Sequence, residues 1–425
     1  MTGMVAVYSF DDVWRVGKFL YYSILALQHR GSEEVRAYTW DGGKVMGVRG
    51  ELGPRIFREL PGHVGIAAAY PPHVDADRLG GRASLNGVEV AVLIDSEPRG
   101  PWAEDLAREI AQSTAQGTLL SALDILERYP RLHAALVLNN RGELLAYRSP
   151  RGIRPLAIGG YGFDMVVAAS ESPGIEVVGA ELKRDLRPGE ALYVSRYSVR
   201  LARCRGACTG ALCAMELIYL ARPDSLIDGV EVYSFRRELG RILAKNFEHE
   251  VDCVVGVPET ALPYALGFSE EAGARLELGF VATGARRRSA LQLSPLEKIV
   301  AIQLKMSPVK SVFRGKRVAV IDDSLVTGST VKTVVQILRN QVGAKEVHVL
   351  IASPPIVGEC PYGVLAQKRE ELLAANLDRE TTLRYIEADS LTWIPPKAFA
   401  EAAGRFGLSL CARCFGMEKL VGGGA

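Results

Sequence analysis

Two adjacent carboxylates, Asp322 and Asp323, close an apolar run from Val318 to Ile321, and Thr327-Gly328-Ser329-Thr330 follows shortly after. A buried strand of that kind would deliver the carboxylates to the carboxyl end of a sheet, where open α/β folds bind ligands. Small hydroxyl residues around a glycine leave backbone N–H groups free to wrap a phosphate. A helix starting there favours the negative charge. The carboxylates suit ribose hydroxyls, directly or through Mg²⁺. Ser and Thr also cap ordinary helices, but a plain cap has no need of the acidic pair. The loop VIDDSLVTGST (320–330) therefore reads as a phosphate site with two carboxylates beside it.

Cysteine offers a second chemistry. Cys411-Ala-Arg-Cys414 is a CxxC, with Cys213 and Cys360 far off in the chain. On spacing alone the CxxC is a redox pair, half of a zinc site, or two buried thiols. Seven cysteines is an odd count, and MTGMVAVYSFDDVW has no basic n-region, so a disulfide framework and a secretory signal are both disfavoured.

The elements that must position these residues fall into two groups. Up to about residue 200, MVAVYSF reads as a strand and VGKFLYYSILALQHRG as a helix with Leu20, Ile24 and Leu27 on one face. RASLNGVEVAVLID reads as a hairpin turned by Asn86-Gly87, and AALVLNNRGELLAYRS repeats the plan. DMVVAASES and EALYVS read as further strands, giving a layered α+β domain. Beyond it, helix SFRRELGRILAKNF, strand DCVVGVP, helix PYALGFSEEAG, strands LGFVA and RVAVIDD, helix STVKTVVQILRNQVG and strand EVHVLIASPP alternate. That order predicts a parallel, doubly wound sheet. A boundary falls near residues 200–212.

The 425 residues are 48% hydrophobic and 24% charged, as in ordinary globular chains, and suffice for two or three cores. A net charge of +2 gives no electrostatic case for nucleic acid or an anionic membrane. No apolar run approaches the length of a spanning helix. The expectation is a cytoplasmic protein.

The phosphate loop resembles that of type I phosphoribosyltransferases, which bind phosphoribosyl pyrophosphate. Segments around it narrow the resemblance to the amidophosphoribosyltransferases of purine synthesis: LIYLARPDSLIDGVEVYSFRRELG (217–240), KMSPVKSVFRGKRVAVIDDS (305–324), GAKEVHVLIASPPI (343–356) and EADSLTWIP (387–395). In the first part LQHRG (27–31), RSPRGIRPLAIG (148–159) and ASESPGIEVVGAELKRDLRPGE (169–190) resemble it too. The resemblance implies an α+β, αββα N-terminal-nucleophile glutaminase-like domain over 1–205. An α/β type I phosphoribosyltransferase domain with a parallel doubly wound sheet follows over 206–425. It also implies that Asp322, Asp323, Ser324, Thr327, Gly328, Ser329 and Thr330 bind substrate, and that Thr260, Asp322 and Asp323 serve Mg²⁺. Lys305 and Arg288, the last of Arg286–Arg288, would act on pyrophosphate. Cys213, Cys360, Cys411 and Cys414 stand where some members hold a 4Fe–4S cluster of structural or regulatory use. Zinc is the competitor, because four thiolates suit either.

The chain departs from that pattern in both halves. Thr2 occupies the position of the N-terminal cysteine nucleophile, and threonine serves that role elsewhere. VGIAAAYPP (64–72) carries alanines where an arginine should grip glutamine, and Ile94-Asp95 replaces the Asn-Gly pair of the oxyanion hole. In the transferase half, Pro258-Glu259-Thr260-Ala261 replaces a PDSG-like loop, and ATGARRRSALQL (282–293) replaces the usual closing loop. Thr327 and Gln303 stand where arginines are usual, while Lys305 is retained. The expected activity is formation of phosphoribosylamine from phosphoribosyl pyrophosphate, with ammonia from solution or a partner protein in place of glutamine. The alternative is a non-catalytic paralogue sensing phosphoribosyl pyrophosphate or nucleotides. A homo-oligomer is expected in either case.

Overall fold

The structure is a computed structural model that describes residues 2–282 and 306–417, apart from Glu59, His73, Ala207 and Thr209. It divides into two compact units. The first comprises the chain through Cys213 together with Asp224–Gly229 and Pro361–Val364; the second holds Ala214–Pro223, Val230–Cys360 and the chain from Leu365.

In the first unit two antiparallel sheets stack with helices outside. One has seven strands, with Gly3–Ser9 between Met165–Ala169 and Val64–Tyr70. The other has six, including Val88–Ser96 and Leu132–Asn139 side by side. Side chains alternate across a strand. Met4, Ala6 and Tyr8 thus join one core with Ile66, Val92 and Leu136, while Val5 and Val7 join another with Leu20, Ile24 and Leu27. That second core lies under helix Gly17–Ala26. Helix Ala103–Thr114 covers the six-stranded sheet through Leu106 and Ile110. Two buried faces explain why Gly3–Ser9 is apolar throughout rather than alternating with polar residues. The predicted hairpin is Gly80–Leu85 with Val88–Ser96, and Asn86 and Gly87 carry the positive φ values, 52° and 77°, of a type I′ turn. The αββα layering matches the expectation.

The second unit is built on four parallel strands in the order Cys253–Gly256, Arg317–Asp322, Glu346–Ile351, Ser390–Trp393. Helices Val232–Lys245 and Leu262–Ala272 cross where only glycine fits. A methyl group on Gly240 would sit 2.0 Å from the Tyr264 carbonyl oxygen, and one on Gly267 would sit 1.9 Å from that of Arg237. Two predicted elements differ. LGFVA yields only Phe280–Val281, which pairs antiparallel with Ser307–Pro308 instead of joining the main sheet. The helix after the phosphate loop is α-helical over Ser329–Gln336 and widens to a π-helix over Ile337–Val342. The fourth strand, Ser390–Trp393, lies within EADSLTWIP, where the four residues SLTW are too few to show a period.

Candidate active site

Strands Cys253–Gly256 and Arg317–Asp322 run in parallel register, Gly256 beside Ile321, and Val257 N–H donates to the Ile321 carbonyl at 2.8 Å. Both strands therefore release their loops at one end of the sheet. From the second come Asp322 and Asp323; from the first comes Thr260, which helps hold the Asp323 pKa down. Ser324 Oγ donates to Asp323 Oδ1 at 2.7 Å, and Asp323 N–H to Asp322 Oδ1 at 2.9 Å. Burial pushes Asp323 up to about 6, against the pull of Ser324, Arg236 and Thr260. Burial and then the charge of Asp323 push Asp322 well above the usual carboxylate range. Two withdrawn carboxylates at one point suit a cation, which would return both to the ionised form.

Downstream, Gly328 adopts φ 75° and leads into helix Ser329–Gln336. Thr327, Ser329 and Thr330 are exposed, with Thr327 Oγ1 and Ser329 Oγ 3.0 Å apart. The turn is braced from behind. Leu373 N–H donates to the Val326 carbonyl at 2.8 Å, and a methyl on Gly328 would meet Leu373 Cδ2 at 2.6 Å. Exposed hydroxyls beside the N-terminal N–H groups of a helix are the kind of groups that hold an anion. The structure thus brings together Thr260, Asp322, Asp323 and Ser324, with Thr327–Thr330 following on the same loop. Arg286–Arg288, Gln303 and Lys305 lie outside the described residues.

One residue escaped the motif reading. Arg236 is 1% exposed, and its Nε and Nη2 donate to the Leu217 and Ala221 carbonyls at 2.7 and 2.8 Å. Its charge lowers the pKa of Asp323. The available signal was its place on the apolar stripe of its helix, with Val232, Leu239 and Leu243, where a guanidinium needs a buried acceptor.

In the first unit Thr2 is 1% exposed and its N–H donates to Asp95 Oδ2 at 3.3 Å. Its Oγ1 has no hydrogen-bond partner among the described residues. Burial alone would push Asp95 up, but Arg154, whose Nε lies 3.6 Å from Oδ2, overrides it, with Arg30 adding a smaller pull. Asp95 is therefore anionic. His133, buried behind it, is pushed down to about 4 by desolvation, and its Nε2 donates to the Tyr362 carbonyl at 3.3 Å. Gly3 lies opposite Ala69 in the sheet, so the strand beside Gly3–Ser9 carries Ala67, Ala68 and Ala69 and no arginine. Nearby, Glu171 takes hydrogen bonds from His29 at 2.6 Å and from Arg30 and Ser225.

Among the proposed cluster ligands, Cys213 ends the main span of the first unit, and Cys360, Cys411 and Cys414 belong to the second. Val357 and Gly358 N–H groups both donate to the Cys414 carbonyl, at 2.9 and 3.1 Å, tying the Cys360 loop to the CxxC turn. Burial and then Cys360 push the Cys414 thiol up to about 12; burial also raises Cys411. Among the described residues no three His, Cys, Asp or Glu side chains converge closely enough to hold a metal ion.

The family described as "Phosphoribosyl transferase domain" matches residues 231–353, the segment holding both ligand loops, which defines the second unit as a pentosyl-transferring enzyme. Along its length the chain is 30% identical to the amidophosphoribosyltransferase of Methanothermobacter thermautotrophicus, covering 97% of this chain and 93% of that one. It is 33% identical to the Bacillus subtilis amidophosphoribosyltransferase, over 93% and 88%. Among solved structures, the glutamine phosphoribosylpyrophosphate amidotransferase of B. subtilis complexed with ADP and GMP superposes with a TM-score of 0.84. That match has 29% identity and covers 98% of this chain and 97% of that one. The chain belongs to the amidophosphoribosyltransferase family of purine biosynthesis. No helix among the described residues is long and apolar enough to cross a membrane.

Proposed function

We propose that this enzyme makes phosphoribosylamine from phosphoribosyl pyrophosphate and ammonia, with its glutaminase site inactive. One observation carries the reading: the buried, anionic Asp95 accepts the Thr2 N–H at 3.3 Å. A nucleophile next to a fixed carboxylate cannot stabilise an oxyanion, and the alanines offer nothing to grip a substrate carboxylate.

In the transferase site the nitrogen lone pair of ammonia attacks C1 of the ribose as the C1–oxygen bond to pyrophosphate breaks. The bond's electrons leave with pyrophosphate, and the new ammonium loses a proton to solvent. Asp322 and Asp323 hold the ribose hydroxyls, and the Thr327–Thr330 turn holds the 5-phosphate through its N–H groups and hydroxyls. Thr260 favours the charged form of Asp323. Catalysis is then positioning and charge stabilisation, with no protein nucleophile. Asp322, Asp323 and Thr260 are the residues that would hold Mg²⁺, which when bound neutralises pyrophosphate charge. Lys305 and Arg288 are assigned to the pyrophosphate side on their sequence positions.

Cys213, Cys360, Cys411 and Cys414 are assigned to a 4Fe–4S cluster, with zinc as the competitor, on their sequence positions, although the described side chains do not converge on one point. The tie between the Cys360 loop and the CxxC turn, and the purely thiol donor set, support a soft-metal site. Its role is structural or regulatory. The protein acts in the cytoplasm as a homo-oligomer, taking ammonia from solution or from a partner.

The test is pyrophosphate release from phosphoribosyl pyrophosphate and Mg²⁺ by anaerobically purified protein, with ammonium or glutamine as nitrogen source. Ammonium should support turnover and glutamine should give at least ~100-fold less, the scale of losing oxyanion stabilisation. Turnover with glutamine, lost in Thr2→Ala, would restore a working glutaminase. Silence with both nitrogen sources, with phosphoribosyl pyrophosphate still bound, would favour the sensor, a reading motivated by changed residues at both sites.

A further inference from the structure

Two cysteines that no part of the transferase reading uses lie side by side in the first unit. Strand Ser198–Arg203 pairs with Glu190–Ser195, and Cys204 extends the ladder, its N–H donating to the Gly189 carbonyl at 2.8 Å. The chain then turns. Glu127 holds the turn by accepting from Arg205 N–H at 3.3 Å and Gly206 N–H at 2.7 Å. Cys208 comes back over the same glycine. A methyl group on Gly189 would meet Cys208 Sγ at 2.5 Å and Cys204 Cβ at 3.6 Å, so both side chains border one small space that only a glycine at φ 77° leaves open. Those separations put the Cys208 sulfur no more than about 6 Å from the Cys204 Cβ, so the two cysteines are neighbours across Gly189. The two thiols differ in environment. Cys208 is exposed, whereas Cys204 is half-buried, packs against the first core and lies with its sulfur 3.7 Å from the Tyr147 hydroxyl.

We propose that Cys204 and Cys208 form a reversible dithiol–disulfide couple, with Cys208 as the attacking thiol and Cys204 as the resolving one. The oxidant is a small-molecule disulfide. The thiolate of Cys208 attacks one of its sulfurs, forming a mixed disulfide and expelling one small thiolate. Cys204 loses its proton to water and attacks Cys208 Sγ, forming the intramolecular bond and expelling the second small thiolate. The small disulfide takes up the two electrons that the cysteine pair gives up. Burial pushes the Cys204 thiol up to about 11, which keeps it protonated until an adjacent mixed disulfide offers it a target. The closed bond would tie Cys204 to Cys208 across Gly189, at the exit of strand Ser198–Arg203.

The test uses the full-length protein, exposed to 2-hydroxyethyl disulfide, quenched with acid, and read by intact mass and peptide mapping. The expected product is about 2 Da lighter, the two hydrogens lost, with Cys204 and Cys208 in one cross-linked peptide, and dithiothreitol reverses it. Cys204→Ser should instead accumulate the mercaptoethanol adduct on Cys208. Cys208→Ser should leave Cys204 unmodified in the folded protein. A stable adduct on Cys208 in the unaltered protein would overturn the proposal. So would a bond from either residue to Cys213, or no change in mass at either cysteine.

Discussion

Asp322 and Asp323 sit at one strand end, both withdrawn from water, and the charge of Asp323 makes Asp322 harder to ionise. A carboxylate whose folded pKa is raised keeps its full contribution to stability below its unfolded pKa and loses it as pH rises to the folded value. Asp323, at about 6, is therefore unfavourable to folding at pH 8 in the absence of a cation. Asp323→Asn should raise stability there by about 1–3 kcal/mol while reducing ammonium-dependent turnover by roughly 100-fold or more. Denaturant titration and pyrophosphate release measure the two effects separately. In the first unit Asp185 gives a cleaner pH signature. Burial and then Asp228 push it up to about 7, against Arg148. Its unfolded value is near 3.9, so its contribution to stability is full below pH 4 and is lost as pH rises to 7. Asp185→Asn should leave stability at pH 4 little changed and raise it at pH 8 by about 1–3 kcal/mol, compared with the unaltered chain by urea titration at each pH. At this scale the phosphate loop was legible because its residues are contiguous. The contact between Thr2 and Asp95 was not, because 93 residues separate them and only strand register brings them together.

At the scale of elements, the turn between strand Arg317–Asp322 and helix Ser329–Gln336 depends on one residue. Gly328 combines φ 75° with a neighbour, Leu373 Cδ2, that a methyl would approach to 2.6 Å. Gly328→Ala pays about 1 kcal/mol for the left-handed backbone alone. It should shift the exposed hydroxyls enough to raise the KM for phosphoribosyl pyrophosphate about 10-fold. Thermal unfolding would move by only a few degrees. A KM unchanged within twofold would show that the turn does not grip the phosphate. Strands and hairpins were legible wherever a turn signal bounded them, as at Asn86-Gly87. LGFVA misled because an apolar pentapeptide fits a sheet strand as well as a short antiparallel ladder, and nothing local distinguishes the partners. The Arg236 stripe was readable in principle, but the acceptors it needs, Leu217 and Ala221 carbonyls, are backbone groups that side-chain patterns do not display.

For the whole molecule, the sequence offers one boundary near residues 200–212, whereas the first unit takes back Asp224–Gly229 and Pro361–Val364. These returns carry buried charge. Arg148, fully buried, bonds Asp228 through two contacts of 2.6 and 2.8 Å, Ser225 donates to Glu171, and Tyr362 accepts from His133. No local feature of ARPDSLIDG announces this, since its partners lie tens of residues upstream. A fragment ending at residue 205 would leave Arg148 without its counter-charge, at a cost of about 3–5 kcal/mol. It should be poorly folded by circular dichroism and proton NMR, and a fragment extended to residue 229 should be more stable. Equal stability of the two fragments would show that Asp228 is dispensable.

The same returns set a timetable for the newborn chain. Translation adds roughly 5–20 residues per second, so about ten seconds or more separate the making of Cys213 from that of Val364. Throughout that interval the amino-terminal sandwich awaits its last piece, the carbonyl of Tyr362 that His133 will meet. A nascent chain stopped anywhere ahead of Tyr362 would leave His133 without that acceptor.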